Sequence, residues 1–276
     1  MKSLQIGIST CPNDTFCFHA LLNGEITIPG LKLEFTLADV EQLNEGMLAG
    51  RFDVCKVSAH AALLAWDRVG ALSSGWALGH GVGPVVLSAQ PRHVLTPNSR
   101  VLAPGQWTTA HLLWKLFHDP PGQLEQCVFS EIMPALQRGA AELGVCIHEG
   151  RFTWEAAGLH LFEDLGVRWA EISHTPLPLG GIVARRELDP GLCLQVQQAI
   201  ADSLAWAHAH RESALESMRR HAQEESDEVL WGHVELYVNA WTQALGKEGE
   251  AALALLSKLA GERGLIPSGG TLEVLA

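Results

Sequence analysis

The amino-acid sequence predicts an α/β fold, and three observations support that prediction. Short apolar segments with the period-two alternation of strands recur along the first two thirds of the chain. Segments with the helical spacing of apolar residues stand between them, as in proteins whose strands and helices interleave. From residue 189 onward the apolar residues recur almost entirely at helical spacing, so a helical C-terminal part follows the strands.

The first part of the chain alternates strands and helices. Strands are predicted at residues 4–9, 31–37, 54–57 and 85–89, and helices at residues 14–23, 40–49 and 59–66. The segment 79–84 is rich in glycine, but a strand follows it where a dinucleotide-binding motif requires a helix. We interpret this segment as a turn, and the alternative is a backbone that lines a site.

A second series of elements begins near residue 101. Strands are predicted at residues 101–103, 127–129, 143–148 and 182–184, and helices at 108–117, 132–137 and 155–161. A proline-rich segment at 176–181 is predicted to be a connection into the last of these strands. In the C-terminal part, two apolar helical faces are predicted, one formed by Val196, Ile200, Leu204 and Ala207 and the other by Val229, His233, Leu236 and Ala240.

Composition and charge exclude several classes of protein. The 276 residues are 47% hydrophobic and 18% charged, which excludes a disordered chain and a small disulfide-held domain. The formal net charge of −12 repels phosphate backbones and anionic lipid, so nucleic acid is not an expected partner. A small anionic ligand stays compatible with this charge, because a ligand in a cleft responds to nearby dipoles and cations.

Cysteine usage and the first residues predict a cytoplasmic protein. The six cysteines contain no Cys-x-x-Cys pair, so no zinc knuckle or thioredoxin-type motif is expected, and a reducing compartment fits best. The first ten residues have a strand pattern rather than that of a signal peptide. The longest apolar stretches are far shorter than the roughly 20 residues that cross a bilayer, so no membrane insertion is expected. A monomer and a homodimer are both compatible with the sequence.

Candidate site residues follow the ends of predicted strands, where ligands bind in open α/β sheets. Polar groups stand there at residues 9–15, at 56–58, at Thr108 and Thr109, and at 148–151. Both halves of the chain are therefore expected to aim polar side chains at one crevice.

His148 is the candidate for proton transfer. An imidazole has an ordinary pKa near ~6.5, so at the end of a buried strand it can accept a proton at neutral pH, with Glu149 or Arg151 tuning or orienting it. The alternative is a histidine that only satisfies local hydrogen bonds, as most of the 13 histidines must.

Binding and structural interpretations are both open for four other residues. Thr108 and Thr109 begin a predicted helix, where N–H groups and hydroxyls attract a carboxylate, and one of them is also expected to cap that helix. Ser58 has the same two interpretations before the helix at 59–66. Lys56 pairs either with an anionic substrate or with a surface carboxylate.

Other polar residues near these strands carry weaker signals. Cys11 precedes a predicted helix that would lower its pKa, but the turn-forming residues after it favour a structural role. Asn13, Asp14 and Asn44 could each bind a ligand or cap a helix. No histidine pair has metal-binding spacing, so no metal site is expected.

Four short motifs stand in one order along the chain. They are Ser-Thr-Cys-Pro-Asn-Asp-Thr-Phe at 9–16, Lys-Val-Ser at 56–58, Ile-His-Glu-Gly-Arg-Phe-Thr at 147–153 and Pro-Leu-Gly-Gly-Ile-Val-Ala-Arg-Arg at 178–186. Together they resemble the 1,4-dihydroxy-6-naphthoate synthases of the futalosine route to menaquinone. Leu-Tyr-Val-Asn at 236–239 extends the resemblance, whereas Trp154 stands where we expect a tyrosine in that family.

The resemblance implies a two-lobed, periplasmic-binding-protein-like fold of type II, with a ligand crevice between the lobes. Residues 1–88 and 182–276 would form the first lobe, including the C-terminal helices, and residues 89–181 the second. Periodicity alone leaves this connectivity open.

The resemblance also implies a cytoplasmic carbon–carbon lyase with no metal or organic cofactor. Its reaction would convert cyclic dehypoxanthine futalosine to 1,4-dihydroxy-6-naphthoate and dihydroxyacetone, a three-carbon sugar fragment. The proton acceptor falls on His148, and the segments that contact substrate fall on Lys56, Val57, Ser58, Thr108 and Thr109. The alternatives with this fold are a solute-binding protein, which needs export, and a ligand-sensing domain, which needs a helix-turn-helix before the first strand.

Overall fold

The computed structural model describes residues 2–91, 93–120, 122–222, 226–267 and 269–275. The strands are β1 (Lys2–Ser9), β2 (Leu31–Ala38), β3 (Val54–Ser58), β4 (Val69–Ala71), β5 (Ala77–Gly79), β6 (Val85–Ser88), β7 (Arg100–Ala103), β8 (Gln123–Gln126), β9 (Leu143–Cys146), β10 (His160–Asp164) and β11 (Leu177–Arg185). The helices are α1 (Pro12–Cys17), α2 (His19–Leu22), α3 (Val40–Leu48), α4 (Ala59–Leu64), α5 (Thr109–Phe117), α6 (Phe129–Gln137), α7 (Gly150–Thr153), α8 (Leu165–Ser173), α9 (Pro190–Ala209), α10 (Arg211–His221), α11 (Asp227–Tyr237), α12 (Ala240–Gln243) and α13 (Gly246–Glu262). Strands and helices interleave before a helical C-terminal part, so the predicted α/β class is confirmed.

The first sheet brings the ends of three strands to one edge. Its order is β2-β1-β3-β11-β4, and β5 pairs with β11 as well. Because β1 is parallel to β3, their carboxyl ends at Ser9 and Ser58 lie at the same edge. β11 is antiparallel to β3 and pairs Gly180 with Ser58, which adds its own backbone to that edge.

The second sheet has the order β10-β6-β9-β7-β8. β7 is parallel to β9, so both strands end at the same edge, at Ala103 and Cys146. The loops that leave this edge carry Thr108 and His148. The second sheet therefore presents its candidate residues at one edge, as the first sheet does.

The C-terminal helices pack on the first sheet. Leu4, Ile6 and Ile8 of β1 share one apolar core with residues of α9, α10 and α11. The predicted face of α9 is confirmed, since Val196, Ile200, Leu204 and Ala207 are all buried. None of the described helices combines the length and the apolar character needed to cross a bilayer.

The predicted face of α11 is mostly wrong. The buried residues are Leu230, His233, Val234 and Tyr237, of which only His233 is in the predicted set. α11 ends at Tyr237, so the predicted face extends beyond the helix. The observed face brings Tyr237 toward the loops that leave the two sheets.

Two predicted elements are wrong at the edges of the second sheet. The strand predicted at 127–129 is β8 at Gln123–Gln126, and α6 begins at Phe129. The helix predicted at 155–161 is a turn that leads into β10. β8 exposes three of its four residues, so it lacks the apolar alternation by which a strand is recognised.

Other predicted boundaries also differ from the structure. The helix predicted at 14–23 is divided into α1 and α2. The proline-rich segment 176–181 is the first part of strand β11 rather than a connection. Its register shifts between Pro178 and Gly180, an irregularity that hides the strand pattern in the sequence.

The lobe boundaries after residues 88 and 181 stay a prediction. The first sheet takes its strands from residues 2–79 and 177–185, and the second sheet takes its strands from residues 85–164. β6 lies in the second sheet, although the predicted boundaries place it in the first lobe. The beginning of β11 lies in the first sheet, although they place it in the second lobe.

Gly181 is a position at which a side chain does not fit. A Cβ there would lie 2.0 Å from Trp76 Cδ2, and Trp76 is fully buried with its indole N–H donating to the Leu72 carbonyl. We expect Gly181→Ala to lower the free energy of unfolding by about 1–3 kcal/mol, because the core must shift to admit the methyl group. Urea unfolding followed by circular dichroism measures this loss.

Gly232→Ala is the matched control for that substitution. Gly232 lies within α11, and a Cβ there would meet Phe152 at an ordinary 3.7 Å. Alanine at this helical position is expected to be neutral or to stabilise the protein by up to about 1 kcal/mol. An equal loss of stability in both variants would contradict the steric explanation for Gly181.

Candidate functional site

A cavity lies where the carboxyl ends of strands from both sheets meet. It holds about 690 Å³ of empty space, a figure that includes the open solvent at its mouth. Its polar lining consists of Ser9, Cys11, Asn13, Asp14, Lys56, Ser58, Thr108, Thr109, His148 and Tyr237. Every residue predicted to bind substrate or transfer a proton lines this cavity, Val57 included. Their individual roles stay predictions.

Lys56 and Asp14 form a buried ion pair in the cavity wall. The Lys56 Nζ lies 2.5 Å from Asp14 Oδ1, and their side chains are 7% and 5% exposed. Asn13 donates from Nδ2 to the same Asp14 oxygen at 3.0 Å. The carboxylate partner of Lys56 is therefore buried rather than on the surface, and it offsets the cost of burying the ammonium group.

Ser58 is held by the fully buried Asn44. The Ser58 backbone N–H donates to Asn44 Oδ1 at 2.9 Å, and Asn44 Nδ2 donates to Ser58 Oγ at 3.0 Å. Since the serine oxygen accepts a hydrogen bond from Asn44, its own hydrogen remains to be donated. Ser58 is therefore arranged as a hydrogen-bond donor at the cavity wall.

The same network reaches across to the loop before α5. Asn44 Nδ2 also donates to Glu41 Oε2 at 3.1 Å, and the Glu41 carboxylate accepts the backbone N–H of Trp107 at 3.0 Å. Glu41 lies on α3 beside the first sheet, whereas Trp107 follows β7 of the second sheet. Burial raises the pKa of Glu41, which the hydrogen bond from Trp107 opposes.

Both threonines at the start of α5 have structural partners. Thr108 caps the helix by accepting the His111 N–H at 3.2 Å, and it donates to the Gly105 carbonyl at 2.8 Å. Thr109 donates to the Leu179 carbonyl at 2.6 Å and accepts the His60 N–H at 3.3 Å. Their hydroxyls are thus engaged, and a ligand would instead meet the N-terminal N–H groups of α5, which have no acceptor within the helix.

His148 faces the cavity from the loop after β9. Its backbone has a φ of 55°, a left-handed conformation that is uncommon outside glycine. Its ring lies edge-on to Phe129, with the ring centroids 4.8 Å apart, and Cys11 Sγ lies 3.1 Å from Nδ1. Cys11 was predicted to have only a structural role in the turn before α1, and its contact with the His148 ring goes beyond that role.

The surroundings of His148 favour an uncharged imidazole. Burial lowers the pKa of His148, and the nearby carboxylates of Glu149, Asp39 and Asp14 act in the opposite direction. An imidazole with a lowered pKa is neutral at pH 7 and has a lone pair with which to accept a proton.

Arg151 contacts backbone carbonyls and a carboxylate rather than the His148 ring. Its guanidinium donates to the carbonyls of Gly81 and Gly83 at 3.0 and 2.9 Å, and it forms an ion pair with Asp164 at 2.8 Å. Arg151 therefore holds the glycine-rich loop 80–84, whose residues Gly83 and Pro84 line the cavity. The segment bends between β5 and β6, in agreement with the predicted turn, and the alternative that its backbone lines a site stays a prediction.

Tyr237 is a lining residue that sequence reasoning missed. It is the only tyrosine of the chain and sits at the end of α11. Burial raises its pKa to about 12, so its phenol keeps its proton and can donate a hydrogen bond. The Leu-Tyr-Val-Asn segment was the available signal, but the predicted apolar face of α11 did not include this residue.

In residues 2–91, 93–120, 122–222, 226–267 and 269–275, no group of three or more His, Cys, Asp and Glu side chains is placed to hold a metal ion.

Sequence comparison relates this chain to biosynthetic proteins. A family model described as menaquinone biosynthesis matches residues 4–262. A 1,4-dihydroxy-6-naphthoate synthase from Thermus thermophilus is 46% identical over 265 residues, 96% of each chain. Another from Streptomyces coelicolor is 38% identical over 274 residues, which are 97% of this chain and 96% of the relative.

Structural comparison gives the same fold. A crystal structure from Archaeoglobus fulgidus, 30% identical, superposes with a TM-score of 0.90 and covers 96% of this chain and 98% of its own. The periplasmic aliphatic sulphonate binding protein of Escherichia coli superposes with a TM-score of 0.67 at 15% identity, covering 99% of this chain and 91% of its own. The second likeness concerns the fold alone, and it confirms the periplasmic-binding-protein-like architecture.

Proposed function

This chain belongs to the menaquinone-biosynthesis family, and we propose that it is a 1,4-dihydroxy-6-naphthoate synthase whose substrate is cyclic dehypoxanthine futalosine. The proposed reaction breaks a carbon–carbon bond and releases dihydroxyacetone, the three-carbon fragment of the sugar. The observation that carries the proposal is that His148, Lys56 and Ser58 line the same cavity.

Substrate binding is assigned to the first sheet and to the start of α5. Ser58 has a hydroxyl hydrogen to donate, and Lys56 supplies a positive charge that Asp14 partly balances. α5 begins at Thr109 in the cavity wall, with the positive end of its dipole at that point. These donors suit the carboxylate and the hydroxyl groups of a small anionic molecule.

Proton transfer is assigned to His148. The ring is neutral at pH 7, so it can remove a proton from the sugar portion of the substrate. The carbon–carbon bond then breaks, and formation of the aromatic naphthalene ring supplies the driving force. The cavity walls hold the substrate against the imidazole, which converts the encounter into an intramolecular step. This chemistry uses acids and bases alone and needs no hydride carrier.

We also propose that the protein works in the cytoplasm, as a monomer or a homodimer. All six cysteines are free thiols in the structure, in keeping with a reducing compartment.

The test is incubation of the purified protein with cyclic dehypoxanthine futalosine, followed by mass spectrometry. The expected products are 1,4-dihydroxy-6-naphthoate and dihydroxyacetone in equal amounts, formed over many turnovers. Binding of the compound without product would instead favour a carrier or a ligand sensor of the same fold. Failure to bind would reject the proposed substrate.

Ser58→Ala is expected to weaken substrate binding without slowing the chemical step. A hydrogen bond to a charged group contributes about 1.5–3 kcal/mol, so KM should rise roughly 10- to 150-fold while kcat changes little. Steady-state kinetics of product formation measure both constants.

Ser74→Ala is the matched control for Ser58→Ala. Ser74 is also buried, and its hydroxyl donates to the Gln243 carbonyl at 2.9 Å, but it does not line the cavity. Its KM should equal that of the wild type. An unchanged KM in Ser58→Ala would remove Ser58 from the proposed binding site.

A further inference from the structure

The side chains of Cys11 and His148 are in contact in the wall of the cavity. Cys11 follows β1 of the first sheet, and His148 follows β9 of the second sheet. The sulfur lies 3.1 Å from Nδ1 and 3.7 Å from Nε2 of the ring, so Nδ1 is its closer partner. Phe129 contacts the same ring edge-on. The imidazole therefore contacts both an aromatic ring and a thiol.

Ser9 fixes the position of the thiol. The backbone N–H of Cys11 donates to Ser9 Oγ at 3.0 Å, which ties the backbone of Cys11 to the end of β1. Ser9 is 2% exposed, so it stays in place relative to the core of the first sheet. Ser9 thus anchors the backbone of the residue whose sulfur contacts Nδ1 of His148.

The hydrogens carried by the Cys11 thiol and the His148 ring limit the possible hydrogen-bond arrangements of this pair. Burial is the main cause that raises the pKa of Cys11, and nearby Asp14 adds to it, so the sulfur keeps its hydrogen at neutral pH. The imidazole is neutral and carries one N–H, on either Nδ1 or Nε2. The position of that hydrogen decides whether Nε2 can act as a base.

The two arrangements have opposite consequences for catalysis. If the ring hydrogen is on Nδ1, the sulfur can accept it as a hydrogen bond, and Nε2 is left with a free lone pair. If the thiol donates to Nδ1 instead, the ring hydrogen is on Nε2, which is then a donor and cannot take a proton.

We infer that Cys11 is a positioning residue for His148: its sulfur accepts the Nδ1–H, so that Nε2 is the atom that takes the proton of the substrate. The inference rests on the proposed function and goes beyond it by assigning the reactive nitrogen and the residue that selects it. In the protonated ring, Nδ1–H keeps the same acceptor, so no partner has to be exchanged during the transfer.

A nucleophilic role for Cys11 is disfavoured by the same surroundings. Desolvation and the negative charge of Asp14 both raise the pKa of the Cys11 thiol, so little of the reactive thiolate is present at neutral pH. The thiol contributes here as a weak acceptor and donor, a role that a serine hydroxyl can also take.

The first test compares Cys11→Ala and Cys11→Ser in product formation. Cys11→Ala should lower kcat by about 10- to 100-fold with little change in KM, because the ring loses its orientation and not its substrate contacts. Cys11→Ser should recover most of that loss. Cys193→Ala, which removes a buried thiol of α9 outside the cavity, should match the wild type.

The kinetic outcomes separate positioning from other roles. A wild-type kcat in Cys11→Ala would overturn the inference. An equal loss in the serine and alanine variants would also overturn it, since the thiol itself would then be required for the chemistry. If the wild type forms no naphthoate at all, the proposed function fails, and the tautomer of His148 is still decided by the next measurement.

The second test observes the ring directly, with no need of activity. Protein labelled with 15N-histidine gives separate nitrogen signals for Nδ1 and Nε2, and the His148 signals are those that disappear in His148→Asn. In the wild type and in Cys11→Ser, the hydrogen should be on Nδ1 near pH 7, whereas Cys11→Ala should show a mixture of tautomers. A wild-type ring with its hydrogen on Nε2 would overturn the inference, whether or not the variants fold.

The pH profile of kcat/KM adds a readout that a merely structural cysteine would not change. Removal of the acceptor for Nδ1–H destabilises the protonated ring, so the acid limb of the profile should move to lower pH in Cys11→Ala and stay in place in Cys11→Ser. The other groups that face His148 are Glu149, Asp39, Asp14, Lys56 and His233, and all of them are unchanged in both variants. An acid limb that does not move in Cys11→Ala would contradict the proposed hydrogen bond.

Discussion

His148→Asn is expected to lower kcat by about 10²- to 10⁴-fold, the usual contribution of a positioned acid–base group. Asparagine is chosen because it tolerates the left-handed conformation in which His148 is held, with a φ of 55°. The loop after β9 should therefore keep its shape while the proposed proton acceptor is lost. Single-turnover formation of naphthoate measures the rate, and calorimetric titration measures the affinity for the substrate, which should stay close to that of the wild type.

His174→Asn is the control for this substitution. His174 has the same φ of 55°, but it ends α8 and does not line the cavity. The two substitutions thus change the same residue type in the same backbone conformation, and only one of them reaches the cavity. If turnover falls equally in both variants, or if His148→Asn keeps near-normal turnover, His148 is not the proton acceptor.

Lys56→Met is expected to lower the free energy of unfolding by about 3–5 kcal/mol, because it leaves the carboxylate of Asp14 buried without its cation. The pair is 2.5 Å apart and both side chains are less than a tenth exposed, so the unpaired carboxylate would be left largely out of contact with solvent. Guanidinium unfolding at pH 7, monitored by tryptophan fluorescence, measures the loss.

The double variant Lys56→Met with Asp14→Asn distinguishes charge from packing. Asparagine has nearly the shape of aspartate and no charge, so most of the lost stability should return. The double variant should nevertheless bind substrate poorly, since the cavity then lacks its ammonium group. If the double variant is as unstable as Lys56→Met alone, the loss comes from packing of the lysine chain and not from an unpaired carboxylate.

The location of the site was predictable because it follows from strand direction. Ser58 and His148 are separated by 90 positions, yet each comes at or just after the carboxyl end of a strand with a strong apolar pattern. In a sheet with parallel neighbours such ends share an edge, so their polar residues can be assigned to one crevice from sequence alone.

Contacts between the two sheets were not predictable in the same way. The contact between Cys11 and His148 and the bond from Thr109 to Leu179 depend on how the sheets are set against each other, which no local pattern encodes. Tyr237 was missed because the apolar face of α11 was assigned to the wrong residues. β8 was missed because an exposed edge strand needs few apolar residues.

The Glu41 carboxylate that receives the Trp107 N–H joins a helix of one sheet to a loop of the other. Through Asn44, the same carboxylate is connected to the serine that is assigned to the substrate. A molecule arriving at Ser58 therefore meets a residue whose orientation already depends on the two halves of the protein being together. We therefore expect that any separation of the two halves would disturb the orientation of the Ser58 hydroxyl as well as widen the cavity.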